Sequence, residues 1–98
     1  MFIIITDKPG EYSSELDANV QPVESWKYIF YGKQQATFTI GEVTSEDARI
    51  KIIDAQDASC VNSVPSKFFG DFSDIEAARA EINELIHFSD IDARLEKV

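Results

Sequence analysis

Histidine and cysteine each occur once in this chain, at His87 and Cys60, and that bounds its chemistry before any fold is considered. His87 follows Glu84 by three positions, a Glu-x-x-His that sets both side chains one turn apart on the same side of a helix. In carboxylate-bridged di-metal bundles this spacing occurs on paired helices, with further glutamates opposite. Here it occurs once and no four-helix bundle completes it. His87 therefore reads as a surface histidine near a helix C-terminus, where the helix dipole favours its charged form. Cys60 has no nucleophile context in the neighbouring sequence, and the one histidine that could approach it in space is His87. A free cysteine in a strand is ordinarily a small core residue, and that is the expectation for Cys60. A single cysteine also forbids an intrachain disulfide, a cysteine-ligated cluster or a structural zinc site.

Glu46, Asp47, Asp54 and Asp57 are loop carboxylates without the ligand spacing and central glycine of an EF-hand. Tyr31-Gly32-Lys33 is not a phosphate loop, and no G-x-G-x-x-G, G-x-S-x-G or H-E-x-x-H is present. No catalytic residue, metal ligand or cofactor is assigned on this reading. The side chains that remain are suited to recognition. Tyr12, Trp26, Tyr28 and Tyr31 combine an apolar body with a polar tip, the residue type enriched at interfaces. Lys67 is the one cation between Cys60 and Glu76. It can meet an anionic ligand beside Tyr12 or Arg49, or more simply lie over Phe68 or Phe69. Glu81, Glu84 and His87 complete the ligand or interface candidates, on the polar side of a helix.

The charge balance narrows the partners. The chain has 98 residues, 9 basic against 18 acidic, for a net charge of −9. Residues 71–98 hold 8 acidic and 3 basic residues, a net of −5, and the other −4 is spread over residues 1–70. Nucleic-acid binding needs a basic patch to neutralise phosphates, and adhesion to anionic membranes needs the same. Neither is expected. A basic protein partner fits, although acidity also serves solubility. The apolar run at the N-terminus is five residues long with no basic segment before it, so it reads as neither a signal peptide nor a membrane span. The cytoplasm is the default expectation for location.

The positioning elements follow from periodicity. Ninety-eight residues, 44% of them hydrophobic, make one folded domain over 1–98. The sheet is expected over about 1–64, a connecting segment over 65–72 and helices over about 73–97. Phe2 to Thr6 is continuously apolar and β-branched, which predicts a strand buried on both faces in the middle of a sheet. Asp7-Lys8-Pro9-Gly10 is a turn, and Glu11 to Leu16 a more polar returning strand. Asp17 to Pro22 is read as a loop. Val23 to Tyr31 alternates, with Trp26, Tyr28 and Phe30 on one face and Ser25, Lys27, Ile29 and Tyr31 on the other. Gly32-Lys33 closes a hairpin. Gln35 to Val43 returns with Ala36, Phe38 and Ile40 on one face. Arg49 to Asp54 and Cys60 to Val64 extend an antiparallel meander, and the phenylalanines at 68, 69 and 72 are expected to anchor the crossing to the helix.

Ser73 to Phe88 is the clear amphipathic helix, with Ile75, Ala78, Ile82, Leu85 and Ile86 along one face. Ser73 and Glu76 are spaced as a capping box. FSDIEAARAE at Phe72 to Glu81 is echoed by FSDIDARLEK at Phe88 to Lys97, which predicts a short second helix from about Asp90 to Lys97.

The expected architecture is α+β: an antiparallel four- to six-stranded sheet, a C-terminal helix packed on one face and a short second helix at the end. One helix covers only part of such a sheet. The other face calls for a curled sheet, a second subunit, a partner protein or a ligand. The expected function is that of a small acidic, non-catalytic accessory or protein-interaction domain, acting on a protein partner or by self-association. The alternative is a small-molecule-binding domain or minor enzyme with a cavity between curved sheet and helix. An acidic mimic of nucleic acid ranks last, because the carboxylates are interspersed with core positions.

Overall fold

A computed structural model describes residues 1–86 and 93–98. The fold is α+β, built on two antiparallel sheets rather than one. The first has four strands in the order β1-β4-β3-β7: β1 (Phe2–Asp7), β4 (Lys33–Val43), β3 (Val20–Phe30) and β7 (Ala93–Lys97). The second has three, in the order β2-β5-β6: β2 (Tyr12–Leu16), β5 (Arg49–Asp54) and β6 (Val61–Pro65). A short 3-10 turn, Ser66–Phe69, leads towards the helix α1, Ile75–Leu85.

The four-stranded sheet is the middle layer. On one face, Ile3, Ile5 and Val20 pack against Ala48 and Ile50 of the second sheet and its approach, with Leu16, Ile52 and Phe69 at the margin. On the other face, Ile4, Phe38 and Ile40 pack against Ala78 and Ile82 of α1. The continuous apolar run of β1 is thus explained, but its place is not the expected one. It is an edge strand of its sheet, buried on both sides because a helix covers one face and a second sheet the other. The three-stranded sheet is also what covers the face that the helix cannot reach.

Two local devices set the register. The hairpin between β3 and β4 turns at Tyr31 and Gly32, whose φ values are 50° and 78°. Both lie in the left-handed region, the signature of a two-residue type I′ turn, whose twist matches that of the flanking strands. Earlier in β3, pairing passes from Pro22 opposite Gly41 to Glu24 opposite Ile40, so Val23 is an extra residue and bulges. The bulge reverses the alternation on its N-terminal side. Val20 thereby joins Ile3 and Ile5, while Glu24, Trp26 and Tyr28 face α1. Strict alternation would have put Val20 on Glu24's face. The segment Asp17 to Pro22, read as a loop, is extended from Val20 onward. Pro22 is tolerated because β7 pairs only with Trp26 to Phe30, leaving that stretch of β3 without a second neighbour among the described residues.

The helix begins one residue later than its expected cap. Asp74, not Ser73, is the N-cap, and its carboxylate accepts from the Ala77 amide at 2.8 Å. Glu76 does not reach back to complete a capping box; it pairs with Arg79 one turn on. The second helix is not formed. Ala93–Lys97 is strand β7, paired antiparallel with β3 from Trp26–Lys97 to Phe30–Ala93. A single short helical segment is marginal by itself, whereas a sheet edge supplies backbone partners for every second residue. Residues 90–92 of that expected helix and residues 87 and 88 of the first lie outside the described residues. Cys60 is exposed and precedes β6, so it is not a core residue. No described helix is long and apolar enough to cross a membrane.

Candidate interaction site beside the helix

The helix-facing side of the four-stranded sheet carries Trp26 and Tyr28, and α1 lies mainly over its β1–β4 part. Two hollows are left beside it. The first, of about 660 Å³, lies past the C-terminal end of α1. Tyr28, Phe30, Ala36 and Phe38 from the β3–β4 hairpin line it, with Tyr12, Lys8 and Glu11 from the β1–β2 turn and Leu85 from α1. The Tyr28 and Phe38 rings stack at 6.2 Å and 24°, and Phe30 meets Tyr28 edge-on at 6.2 Å. Such contacts hold an aromatic surface in one arrangement. Leu85 was expected in the core stripe with Ala78 and Ile82. It is instead 51% exposed, because the helix extends past the part of the sheet it covers.

The second hollow, also about 660 Å³, lies between α1 and the β3–β7 pair. Its centre is ionic. The Glu24 side chain is only 4% exposed. Arg79 donates to it twice, Nε to Oε1 at 2.5 Å and Nη2 to Oε2 at 3.1 Å. This two-pronged geometry is the strong form of the pair. Lys97 Nζ stands 3.8 Å from Oε2 and 6.0 Å from the Trp26 ring centroid. The Arg79 hydrogen bonds hold the Glu24 carboxyl below its ordinary value, against the upward pull of burial; the Arg79 charge, the Trp26 side chain and Lys97 add to the lowering. Glu24 in turn holds the Arg79 guanidinium above its already high value.

The structure thus brings Tyr12 and Tyr28 into one hollow and puts Trp26 in the other. Tyr31 is 60% exposed on the hairpin turn, its ring edge-on to Phe30 at 4.6 Å. Lys67 lies with its Nζ 5.9 Å from the Phe68 ring, and shares a hollow with neither Tyr12 nor Arg49. Glu81 is half-buried on α1 and Glu84 exposed, and neither lines the hollows described. His87 lies outside the described residues, so the Glu84–His87 pairing has no geometry to report. Among the described residues no group of three or more metal-ligating side chains comes together.

Glu24 and Arg79 were not among the expected site residues. A signal for them exists: Glu24 is in phase with Trp26 and Tyr28, on the face that meets the helix, and a carboxylate there requires a cation. The chain matches no family model, no curated protein and no solved structure.

Proposed function

We propose that this protein is a non-catalytic interaction module. Its docking surface is the hollow floored by Tyr28, Phe30 and Phe38, and its partner a segment that inserts an apolar anchor flanked by basic residues. The observation that carries the reading is the stacked aromatic floor beside a half-exposed Leu85. A pocket that receives one aromatic or aliphatic anchor is the usual centre of a protein interface. The net charge of −9 favours encounter with a basic partner. A second reading has one observation in its favour: the hollow's volume lies within the range of small-molecule sites, and two tyrosines stand in its wall.

The test is a two-dimensional amide NMR titration of the folded chain with short Lys/Arg-flanked peptides carrying a single Trp or Leu. Saturable shifts are expected at Thr6, Tyr12, Tyr28, Phe30 and Ala36, and their loss in Leu85→Asp. A folded protein that shows no shift with any such peptide at millimolar concentration overturns the reading. Shifts at the same amides with small aromatic fragments, and none with peptides, would put the small-molecule reading in its place.

A further inference from the structure

Two sheets have four outer edges, and each is a row of backbone N–H and C=O groups that another strand can pair with unless something closes it. Three of the four are closed in part. On β1 the outward groups of Phe2 exchange both hydrogen bonds with Phe72 at 2.9 Å, and the Thr6 carbonyl accepts from the Ser14 hydroxyl at 3.1 Å. On β2 the outward groups of Tyr12 bond to Lys8, and the Ser14 amide donates to the Asp7 carboxylate. On β6 the outward Ser63 carbonyl is taken by Arg49 Nη2 at 2.8 Å and Pro65 has no N–H to offer, while no described residue bonds to Val61.

The fourth edge, β7, differs. The Val98 amide donates to Ser25 of β3 at 3.0 Å, which fixes the parity of the strand. Glu96 and Arg94 also turn their backbone groups towards β3, at Lys27 and Ile29. Ala93, Leu95 and Lys97 must then turn theirs outward, and no described residue bonds to them. The strand carries no proline, and its pairing with β3 runs without a bulge. We propose that β7 pairs antiparallel with β7 of a second copy of this chain, about a two-fold axis at Leu95, making one continuous sheet through the dimer.

The sequence Ala93-Arg94-Leu95-Glu96-Lys97 is self-complementary in that register. Leu95 faces the partner's Leu95 in a hydrogen-bonded pair, and Ala93 faces the partner's Lys97, so all the outward backbone groups find partners. Arg94 then faces the partner's Glu96, and Glu96 the partner's Arg94. These are non-hydrogen-bonded pairs, where side chains stand closest. Arg94 and Glu96 already lie together within one chain, Nε to Oε1 at 3.3 Å. Arg94, Glu96 and Lys97 also give this strand a local charge of +1 in a chain of −9. The contact is isologous and closes as a dimer, with no open-ended growth.

Analytical ultracentrifugation over a concentration series tests it, with folding of each variant checked by circular dichroism. The wild-type chain is expected to show a monomer–dimer equilibrium. Arg94→Glu and Glu96→Arg are each expected to weaken it about tenfold, because each makes like charges face one another twice across the axis. An equimolar mixture of the two folded variants is expected to dimerise again, since each supplies the charge the other lost. A wild-type chain that stays monomeric at every concentration overturns the proposal. So does a pair of single variants that dimerise as tightly as wild type, or a mixture that associates no better than its components. Both readouts are independent of any peptide binding at the aromatic hollow.

Discussion

Arg79 of α1 and Glu24 of β3 are 55 positions apart in sequence and form a two-pronged ion pair where the helix meets the sheet. The carboxylate is buried and the guanidinium only partly so. Removing the cation leaves a desolvated charge behind, which costs more than the pair contributes. Arg79→Met is therefore expected to destabilise the protein at neutral pH, and the double variant Glu24→Gln/Arg79→Met to be more stable than that single. The carboxyl is held below its ordinary value in the folded state. Its contribution is present above the unfolded value, about pH 4.3, and is lost as pH falls through the folded value. The stability gap between wild type and Glu24→Gln is thus expected to stay constant above about pH 6 and to shrink below about pH 4. Urea denaturation at a series of pH values measures it; a gap that widens in acid contradicts the assignment.

Ile50 and Ile82 lie on opposite sides of the central sheet, 0% and 1% exposed. Ile82→Ala opens a cavity under the helix and Ile50→Ala one under the second sheet. Each is expected to cost about 2–5 kcal/mol. Because both layers share the same middle sheet, either variant should lower one common transition followed by tryptophan fluorescence and by circular dichroism. An Ile50→Ala variant with wild-type stability would mean that the three-stranded sheet contributes little to the fold.

Gly41 faces the second sheet at a point of close approach. A Cβ there would stand 2.7 Å from Val20 Cγ1 and 3.4 Å from Ile5 Cδ1. Both neighbours are buried and have little room to yield. Gly41→Ala is expected to destabilise by about 1–3 kcal/mol, and Gly41→Ala/Val20→Ala to recover part of that loss. Thermal or urea melts decide the sign.

Cys60 is exposed. It is expected to react completely with a thiol reagent in the native protein, at a rate close to that in denaturant. Slow labelling limited by unfolding would show that it is shielded.

Much of the fold was legible where local pattern and tertiary environment agree. Ile50 and Ile52 alternate with Arg49 and Lys51, and β5 has that pattern. Ala78 and Ile82 are helically spaced, and they are the residues buried under the sheet. The errors share one cause. The echo of FSDIEAARAE in FSDIDARLEK suggests a second helix, yet Ala93–Lys97 became a strand because β3 offered it an edge. The sequence around Arg94 carries no mark of that offer. The single-residue bulge at Val23 is equally silent in the alternation, and it decides which core receives Val20. At the candidate site, Tyr12 and Tyr28 each stand out by residue type, an apolar ring with a polar tip, but nothing in their spacing says that one hollow holds both.

The amino-acid sequence alone determined the α+β class, the acidic charge, the main amphipathic helix, the positions of most strands, and the lack of the recognised catalytic, phosphate-binding and zinc motifs. These follow from composition and from periods of 2 and 3.6, which are properties of a few consecutive residues. Only the tertiary structure decided that the strands divide into two sheets, that β1 is a doubly covered edge, that Glu24 and Arg79 meet, and which backbone groups each outer edge turns outward. Those depend on strand order, register and the direction of backbone groups, which are settled by contacts between residues far apart in the chain.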